Sequence, residues 1–205
     1  AGTTYSRFRL STDAAANNSD GPATDGEVED YRFTITTSTT GTVDTFVKHT
    51  EAALGGSPAT RFADRLTSLG DLDGDGIEDL AVGAPLEGNG AIYVLFMNAD
   101  RSVRSTVKLA NGLNNTPSVG TGFGRSLTSL GDLDGDGVPD LAVGATVGSD
   151  SGALHILFMN ANGTVKSSSI YDPTDSSSFA RSLAAIGDLD GDGVTDLAVG
   201  EFLGV

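Results

Sequence analysis

The chain has 205 residues, 38% of them hydrophobic, which is enough to bury the core of a medium-sized domain. Its 28 Asp and Glu against 12 Lys and Arg give a formal charge of -16, and such a surface repels nucleic acids. The longest uninterrupted apolar run, Ala91 to Met97, is far shorter than the roughly 20 residues that span a bilayer, so we expect no membrane insertion. Because the chain has no cysteine, packing or oxygen-ligated ions must stabilise the fold.

Residues 1–36 are predicted to form a short β unit that is separate from the rest of the chain. Two strand candidates, Thr3 to Leu10 and Glu29 to Thr36, flank a polar loop, which predicts a segment resembling a β-hairpin. Residues 37–42 are rich in threonine and predict a linker. A polar, β-branched segment follows the linker, so we place the second domain at residues 43–205.

This second domain is a tandem repeat. Three copies of one unit start near Phe62, Phe123 and Phe179, and each runs through an Asp-rich loop into the sequence DLAVG. Each phenylalanine precedes the first aspartate of its loop by the same interval, so the length varies only between the motifs. The third copy stops at Val205, before the segments that complete the other two, and we therefore expect the chain to be part of a longer protein.

Each complete unit contains four short strand candidates. They lie before the Asp-rich loop, at DLAVG, in an apolar segment such as Ala91 to Asn98, and in a polar segment such as Ser102 to Leu109. No window combines a helical apolar period with capping residues, so we predict almost no helix. Four strands per repeat predict radial repetition, in which each unit is a blade that packs against its neighbours. The predicted fold class is therefore all-β, a partial β-propeller of four-stranded blades.

The Asp-rich loops share the pattern DxDGDGxxD and carry the candidate metal sites. Carboxylates stand at positions 1, 3, 5 and 9, and like charges so close together repel one another unless a cation neutralises them. Ca²⁺ takes about six to eight oxygen ligands in flexible geometry, which suits these carboxylates and a carbonyl at position 7, whereas Mg²⁺ prefers a smaller octahedral shell and ranks second. The candidate ligands are Asp71, Asp73, Asp75, Ile77 and Asp79 in the first loop, Asp132, Asp134, Asp136, Val138 and Asp140 in the second, and Asp188, Asp190, Asp192, Val194 and Asp196 in the third.

Two alternative structures for these loops are less favoured. The EF-hand requires a glutamate at position 12 and flanking helices, but position 12 is Val82, Val143 and Val199 in the three copies. A polar turn without a cation would account for one copy, but not for three copies that keep every aspartate in the same register. The sequence therefore predicts about three Ca²⁺ sites, each in a loop between two strands.

The repeat resembles a known family. Phe123-Gly124, the DxDGDGxxD loops and Gly83-Ala84-Pro85 are similar to the FG-GAP repeat of integrin alpha-subunit propellers and of bacterial surface proteins, over about residues 43–205. The resemblance implies a seven-bladed β-propeller, of which this chain would be a fragment, with Ca²⁺ held in hairpin loops by the aspartates named above. The sequence departs from the pattern where Phe62 and Phe179 are followed by alanine.

A second resemblance concerns the N-terminal segment. The run Asp25 to Tyr31 is similar to the carboxyl-terminal end of the GEVED domain of secreted bacterial proteins. It implies that residues 1–36 are the end of such a domain. We interpret the acidic residues of this run as a solvated loop rather than as a further cation site.

No catalytic constellation accompanies the loops. His49 and His155 lack a second ligand at metal spacing, and Asp150 stands where a nucleophile elbow would need serine. We therefore predict that the chain is not an enzyme. We expect a calcium-binding segment of an extracellular or cell-surface bacterial protein that mediates adhesion or interaction with an unknown protein or glycan. The alternative is a non-catalytic accessory propeller of a larger secreted enzyme.

Overall fold

The computed structural model describes residues 60–118, 120–146, 152–173 and 178–201, together with His49 and Leu54. Within these residues the chain forms ten β-strands and no α-helix, so the prediction of an all-β fold is confirmed. The same residues contain no helix with the length and hydropathy needed to cross a membrane. The strands expected in residues 1–36 and the linker at 37–42 lie outside the described residues and stay predictions.

The first two repeats each form a four-stranded antiparallel sheet whose strands follow one another in chain order. Blade 1 contains β1 (Arg65–Gly70), β2 (Asp79–Ala84), β3 (Ala91–Met97) and β4 (Val103–Ala110), and blade 2 contains β5 (Phe123–Gly131), β6 (Asp140–Ala145), β7 (Ala153–Met159) and β8 (Val165–Tyr171). In the third repeat, β9 (Ser182–Gly187) and β10 (Asp196–Gly200) form a two-stranded sheet. In all three repeats the Asp-rich loop joins the first strand to the second, as the sequence predicts.

The third strand of blade 1 is buried along its whole length because it packs on both faces. Ile92, Val94 and Phe96 face a cluster shared with blade 2, whereas Tyr93 and Leu95 point to a cluster on the opposite side of the blade. Each fully buried aliphatic side chain of this kind contributes about 1.5–3 kcal/mol to folding. The apolar sequence of the strand thus corresponds to burial on two faces, whereas only Leu109 is buried in the outer strand β4.

The main core lies between consecutive blades. The largest cluster joins residues such as Leu69 and Val94 of blade 1 to Leu141 and Leu157 of blade 2. A further cluster joins blade 2 to the third repeat, where Leu130 packs with residues of β9 and β10. Each blade therefore buries its faces against its neighbours, as expected for blades of a propeller.

Glycines allow the backbones of neighbouring blades to approach each other closely. A Cβ added at Gly83 in β2 would lie 2.2 Å from the carbonyl oxygen of Gly124 in blade 2. The next interface repeats this contact, because a Cβ at Gly144 would lie 2.1 Å from the carbonyl oxygen of Ala180. Distances this short exclude any side chain. The glycine of DLAVG in each of these blades therefore packs against the residue that follows the phenylalanine of the next repeat.

The two residues that flank the first phenylalanine of each repeat, Phe62, Phe123 or Phe179, adopt left-handed backbone conformations. The φ angles are 53° and 57° at Arg61 and Ala63, 75° and 87° at Gly122 and Gly124, and 63° and 56° at Ser178 and Ala180. Only the middle repeat uses glycine, which has no Cβ and adopts positive φ without strain. The departures of the first and third repeats from Phe-Gly therefore keep the same turn geometry, at the cost of backbone strain.

Ala63→Gly tests this strain directly. Alanine in the left-handed region costs about 1–2 kcal/mol, and the extra freedom of glycine in the unfolded chain returns about 0.4–1 kcal/mol of that. We expect a net stabilisation of up to about 1.5 kcal/mol, measured by urea denaturation. The reverse change, Gly124→Ala, should be strongly destabilising because its Cβ would also lie 2.7 Å from the carbonyl oxygen of Ala91. A loss of stability in Ala63→Gly would contradict the strain argument.

Candidate metal centre

The first aspartate of each loop organises the loop around itself. The side chain of Asp71 accepts hydrogen bonds from the backbone N–H groups of Gly74 at 2.8 Å, Asp75 at 2.9 Å and Gly76 at 2.8 Å. Asp132 and Asp188 accept the same three bonds in their own loops. These bonds curl each loop so that later carboxylates return towards the first one. The position therefore has a structural role that the sequence did not reveal.

The last aspartate of the first two loops ties the loop to the third strand of its blade. Asp79 is fully buried and accepts hydrogen bonds from the backbone N–H groups of Leu72 at 3.1 Å and Met97 at 3.0 Å. Asp140 is also fully buried and is held in the same way, by Leu133 and Met159. Burial raises the pKa of both carboxyl groups above its ordinary value, and the two backbone hydrogen bonds act in the opposite direction. In the third loop Asp196 accepts the first of these bonds, from Leu189 at 2.7 Å.

Each loop gathers three of its four predicted carboxylates. One carboxylate oxygen from each of the three lies within 4.8 Å of the other two, and the groups are Asp71, Asp73 and Asp79, then Asp132, Asp134 and Asp136, then Asp188, Asp190 and Asp196. Positions 1 and 3 take part in every loop, whereas position 9 joins them in the first and third loops and position 5 in the second. Asp75, Asp140 and Asp192 belong to the same loops but lie outside these groups.

The residues at position 7 lie next to the carboxylate of position 5. The backbone N–H groups of Ile77, Val138 and Val194 donate to the Oδ1 atoms of Asp75, Asp136 and Asp192 at 2.8, 2.9 and 2.8 Å. This bond fixes the backbone at the position whose carbonyl we expect to act as a ligand. The ligand role of these three carbonyl groups stays a prediction.

The oxygen atoms of the first loop fit a hard divalent cation. The Oδ1 atom of Asp73 is buried and has no hydrogen-bond partner among the described residues. A buried carboxylate oxygen without a donor is costly, and a cation would remove that cost. Because the three groups offer only carboxylate oxygens, they suit Ca²⁺ or Mg²⁺ better than the transition metals that prefer nitrogen or sulfur ligands.

Two basic side chains that sequence reasoning missed contact these loops. Arg104 pairs with Asp73 and Asp75, and the Nζ atom of Lys166 lies 2.6 Å from a carboxylate oxygen of both Asp134 and Asp136. The hydrogen bond from Lys166 holds the pKa of Asp136 below its ordinary value. One signal in the sequence could have found these residues, since each is the second residue of the outer strand of its blade.

The two histidines lie outside the carboxylate groups of the described residues. The Nε2 atom of His49 lies 2.9 Å from the carbonyl oxygen of Arg101, in the turn before β4. His155 is only 1% exposed, and its ring meets that of Phe123 edge to face, with the ring centres 5.4 Å apart. Both ring nitrogens of His155 lack a hydrogen-bond partner within the described part of the chain. Its surroundings are those of a core residue.

Burial lowers the pKa of His155, with the charge of Asp172 acting in the opposite direction. The unfolded chain therefore binds a proton more readily than the folded one, and stability is lost as the pH falls below the unfolded pKa of about 6.5. At pH of about 5.5 the loss from this histidine reaches at most about 1.4 kcal/mol. His155→Phe should reduce the difference in melting temperature between pH of about 7.5 and 5.5. An unchanged difference would show that His155 does not contribute to acid sensitivity.

Comparison with known proteins finds the repeats of this chain in other proteins. Residues 132–199 match the model of the FG-GAP-like repeat, and residues 65–95 match the FG-GAP repeat. The chain is 31% identical over 161 residues to integrin alpha-4 of Xenopus laevis, covering 73% of this chain and 15% of that protein.

Shorter matches connect it to other integrin chains. It is 38% identical over 92 residues to integrin alpha-PS5 of Drosophila melanogaster, covering 43% of this chain and 9% of that protein. It is 39% identical over 93 residues to integrin alpha-7 of Homo sapiens, covering 45% of this chain and 8% of that protein. The matched segments thus span a small part of each relative, at most 15% of its length in these three. Together, the repeat matches, these relatives and the four-stranded blades support an integrin-like FG-GAP repeat domain in this chain.

Proposed function

We propose that this chain is a calcium-binding β-propeller segment of an extracellular or cell-surface bacterial protein, and that it mediates adhesion or protein interaction rather than catalysis. The observation that carries the proposal is the repeated geometry of the three loops, each of which brings three carboxylate oxygens within 4.8 Å of one another. The same hydrogen bonds to the first aspartate recur in all three loops. Repetition of this kind supports a common ligand.

Electrostatics favours a cation as that ligand. The chain carries a formal charge of -16. The three loops concentrate acidic groups between the first and second strands of each repeat. Divalent cations would reduce the mutual repulsion of the carboxylates in each loop. Ca²⁺ is preferred because it accepts many oxygen ligands in irregular geometry, including the carbonyl expected at position 7. Mg²⁺ remains the second choice.

The wider organisation is also proposed. We assign residues 43–205 to the repeat domain, 37–42 to a linker and 1–36 to the end of a GEVED-like domain. Since each blade packs against its neighbours, further blades would complete a closed ring, and we propose the seven-bladed ring that the family resemblance implies. The similarity to integrin alpha chains supports a protein as the partner, and a glycan is the alternative that we propose beside it.

The calcium proposal is tested by counting bound ions with native mass spectrometry and isothermal titration calorimetry. The wild-type chain should bind about three Ca²⁺ in the millimolar range or below. Asp73→Asn should remove or severely weaken one site. Glu78→Gln is the matched control, because Glu78 lies in the same loop between the predicted ligand positions and accepts a hydrogen bond from the hydroxyl of Ser68 at 3.4 Å. Absence of binding, or equal effects of both variants, would refute the assignment.

The interaction role needs a separate measurement. The labelled chain is applied to glycan and extracellular-protein arrays in Ca²⁺ and in chelator. We expect binding that requires Ca²⁺ and decreases in Asp73→Asn but not in Glu78→Gln. Binding that is equal under all these conditions would show that the interaction does not depend on Ca²⁺ bound in the loops.

A further inference from the structure

We propose that Arg104 and Lys166 act as resident counter-cations that lower the cation affinity of the first and second loops and hold these loops in place when no ion is bound. The inference rests on the proposed function, because it assumes that the loops bind a divalent cation. It adds which residues of the chain determine how tightly the ion binds.

The two side chains occupy the same place in consecutive blades. Arg104 follows Val103 at the start of β4, and Lys166 follows Val165 at the start of β8. In the register of the sheets, the next residue of each outer strand lies opposite a phenylalanine of the third strand, Ser105 opposite Phe96 and Ser167 opposite Phe158. A basic residue at this point of the outer strand is therefore a repeated feature of the blades.

Both side chains reach from the outer strand to the Asp-rich loop of their own blade. The guanidinium of Arg104 lies 5.7 Å from the centre of the Phe96 ring, so the side chain passes over β3 on its way to the loop. There it pairs with Asp73 and Asp75. Lys166 pairs in the same way with the carboxylates at positions 3 and 5 of the second loop. Arginine and lysine thus make the same arrangement although their head groups differ.

The same carboxylates cannot serve the basic side chain and a divalent ion without cost. Positions 3 and 5 are predicted cation ligands, and a second positive charge within a few ångströms of the ion is repelled by it. Ion binding therefore requires the side chain to move away. Arg104 and Lys166 are free to do so, because their side chains are 38% and 40% exposed. The free energy of Ca²⁺ binding is therefore less favourable by the free energy that is needed to break the ion pairs.

The ion pairs also have a role before the ion arrives. Without a counter-charge, the carboxylates of positions 3 and 5 repel each other and those of positions 1 and 9. A resident cation reduces this repulsion and keeps the loop near its final conformation. The expected signature is thus twofold, a weaker affinity for the ion and a more ordered loop in its absence.

A site-resolved titration tests the proposal. The amide resonances of Gly74, Gly135 and Gly191 report on the three loops separately, since each N–H donates to the first aspartate of its own loop. Ca²⁺ is titrated into the wild-type chain and into Arg104→Gln, Lys166→Gln and Arg104→Lys. Lys108→Gln is the matched control, because Lys108 is also on β4 but pairs with Glu87, away from the loops.

Arg104→Gln should lower the dissociation constant of the first loop by about tenfold and leave the second unchanged, and Lys166→Gln should do the reverse. The third loop is the internal reference. Arg104→Lys should stay close to wild type, and Lys108→Gln should alter none of the three constants. The inference is overturned if the loop whose basic side chain was replaced binds Ca²⁺ as in the wild type or more weakly, or if Lys108→Gln has an equal effect. In either case the wild-type titration would still support the calcium proposal. The absence of any shift in the wild type and all variants would instead reject the calcium proposal, and this inference with it.

Discussion

Removal of Ca²⁺ by a chelator is expected to lower the melting temperature by roughly 5–10 °C for each loop that was saturated. At a free concentration about a hundredfold above the dissociation constant, an ion that binds only the folded chain stabilises it by about 2.7 kcal/mol per site. Ca²⁺ modules of extracellular proteins often bind at about 10⁻⁴ to 10⁻³ M, so a hundredfold excess requires about 10 to 100 mM free Ca²⁺. Differential scanning calorimetry in Ca²⁺ and in chelator provides it.

Two controls distinguish a bound ion from simple screening of the acidic surface. Na⁺ at matched ionic strength should stabilise the chain much less than Ca²⁺, because exposed charges are screened by any salt. A triple variant, Asp73→Asn with Asp134→Asn and Asp190→Asn, should lose most of the response to Ca²⁺. A melting temperature that is the same in Ca²⁺ and in chelator would refute the ion assignment.

Gly83→Ala is expected to destabilise the repeat domain by about 3 kcal/mol or more. Its Cβ would lie 2.2 Å from the carbonyl oxygen of Gly124, and both partners are backbone positions within packed blades. Neither can move without separating blade 1 from blade 2. The free energy of unfolding should be measured by urea denaturation at saturating Ca²⁺, so that changes in ion binding do not enter the comparison.

Gly120→Ala is the matched control. It makes the same chemical change at a glycine with no heavy atom within 4 Å of the added Cβ and without a positive φ. We expect its stability to stay within about 0.5 kcal/mol of wild type. Equal losses in the two variants would mean that the close approach of the blades at Gly83 is not important for stability.

The sequence by itself predicted the elements and their order. Repeated units that begin at Phe62 and Phe123 form four strands each, because apolar and β-branched segments are separated by loops of Gly, Asp and Asn. The apolar segment that starts at Ala91 predicted a strand, and this strand is β3, in which every residue is buried. The candidate ligands were also found from the sequence, because nearby carboxylates in a fixed register leave a signal that is local in the chain.

Only the tertiary structure decided which distant residues join the loops and the blades. Asp79 accepts a hydrogen bond from Met97, and Arg104 reaches Asp73, although these partners are far apart in the chain. Spacing within one motif cannot encode such pairs, since they depend on the register between strands and on the course of a long side chain across the sheet. For the same reason the contact of Gly83 with the next blade had no local signal, because it exists only once two repeats are packed together.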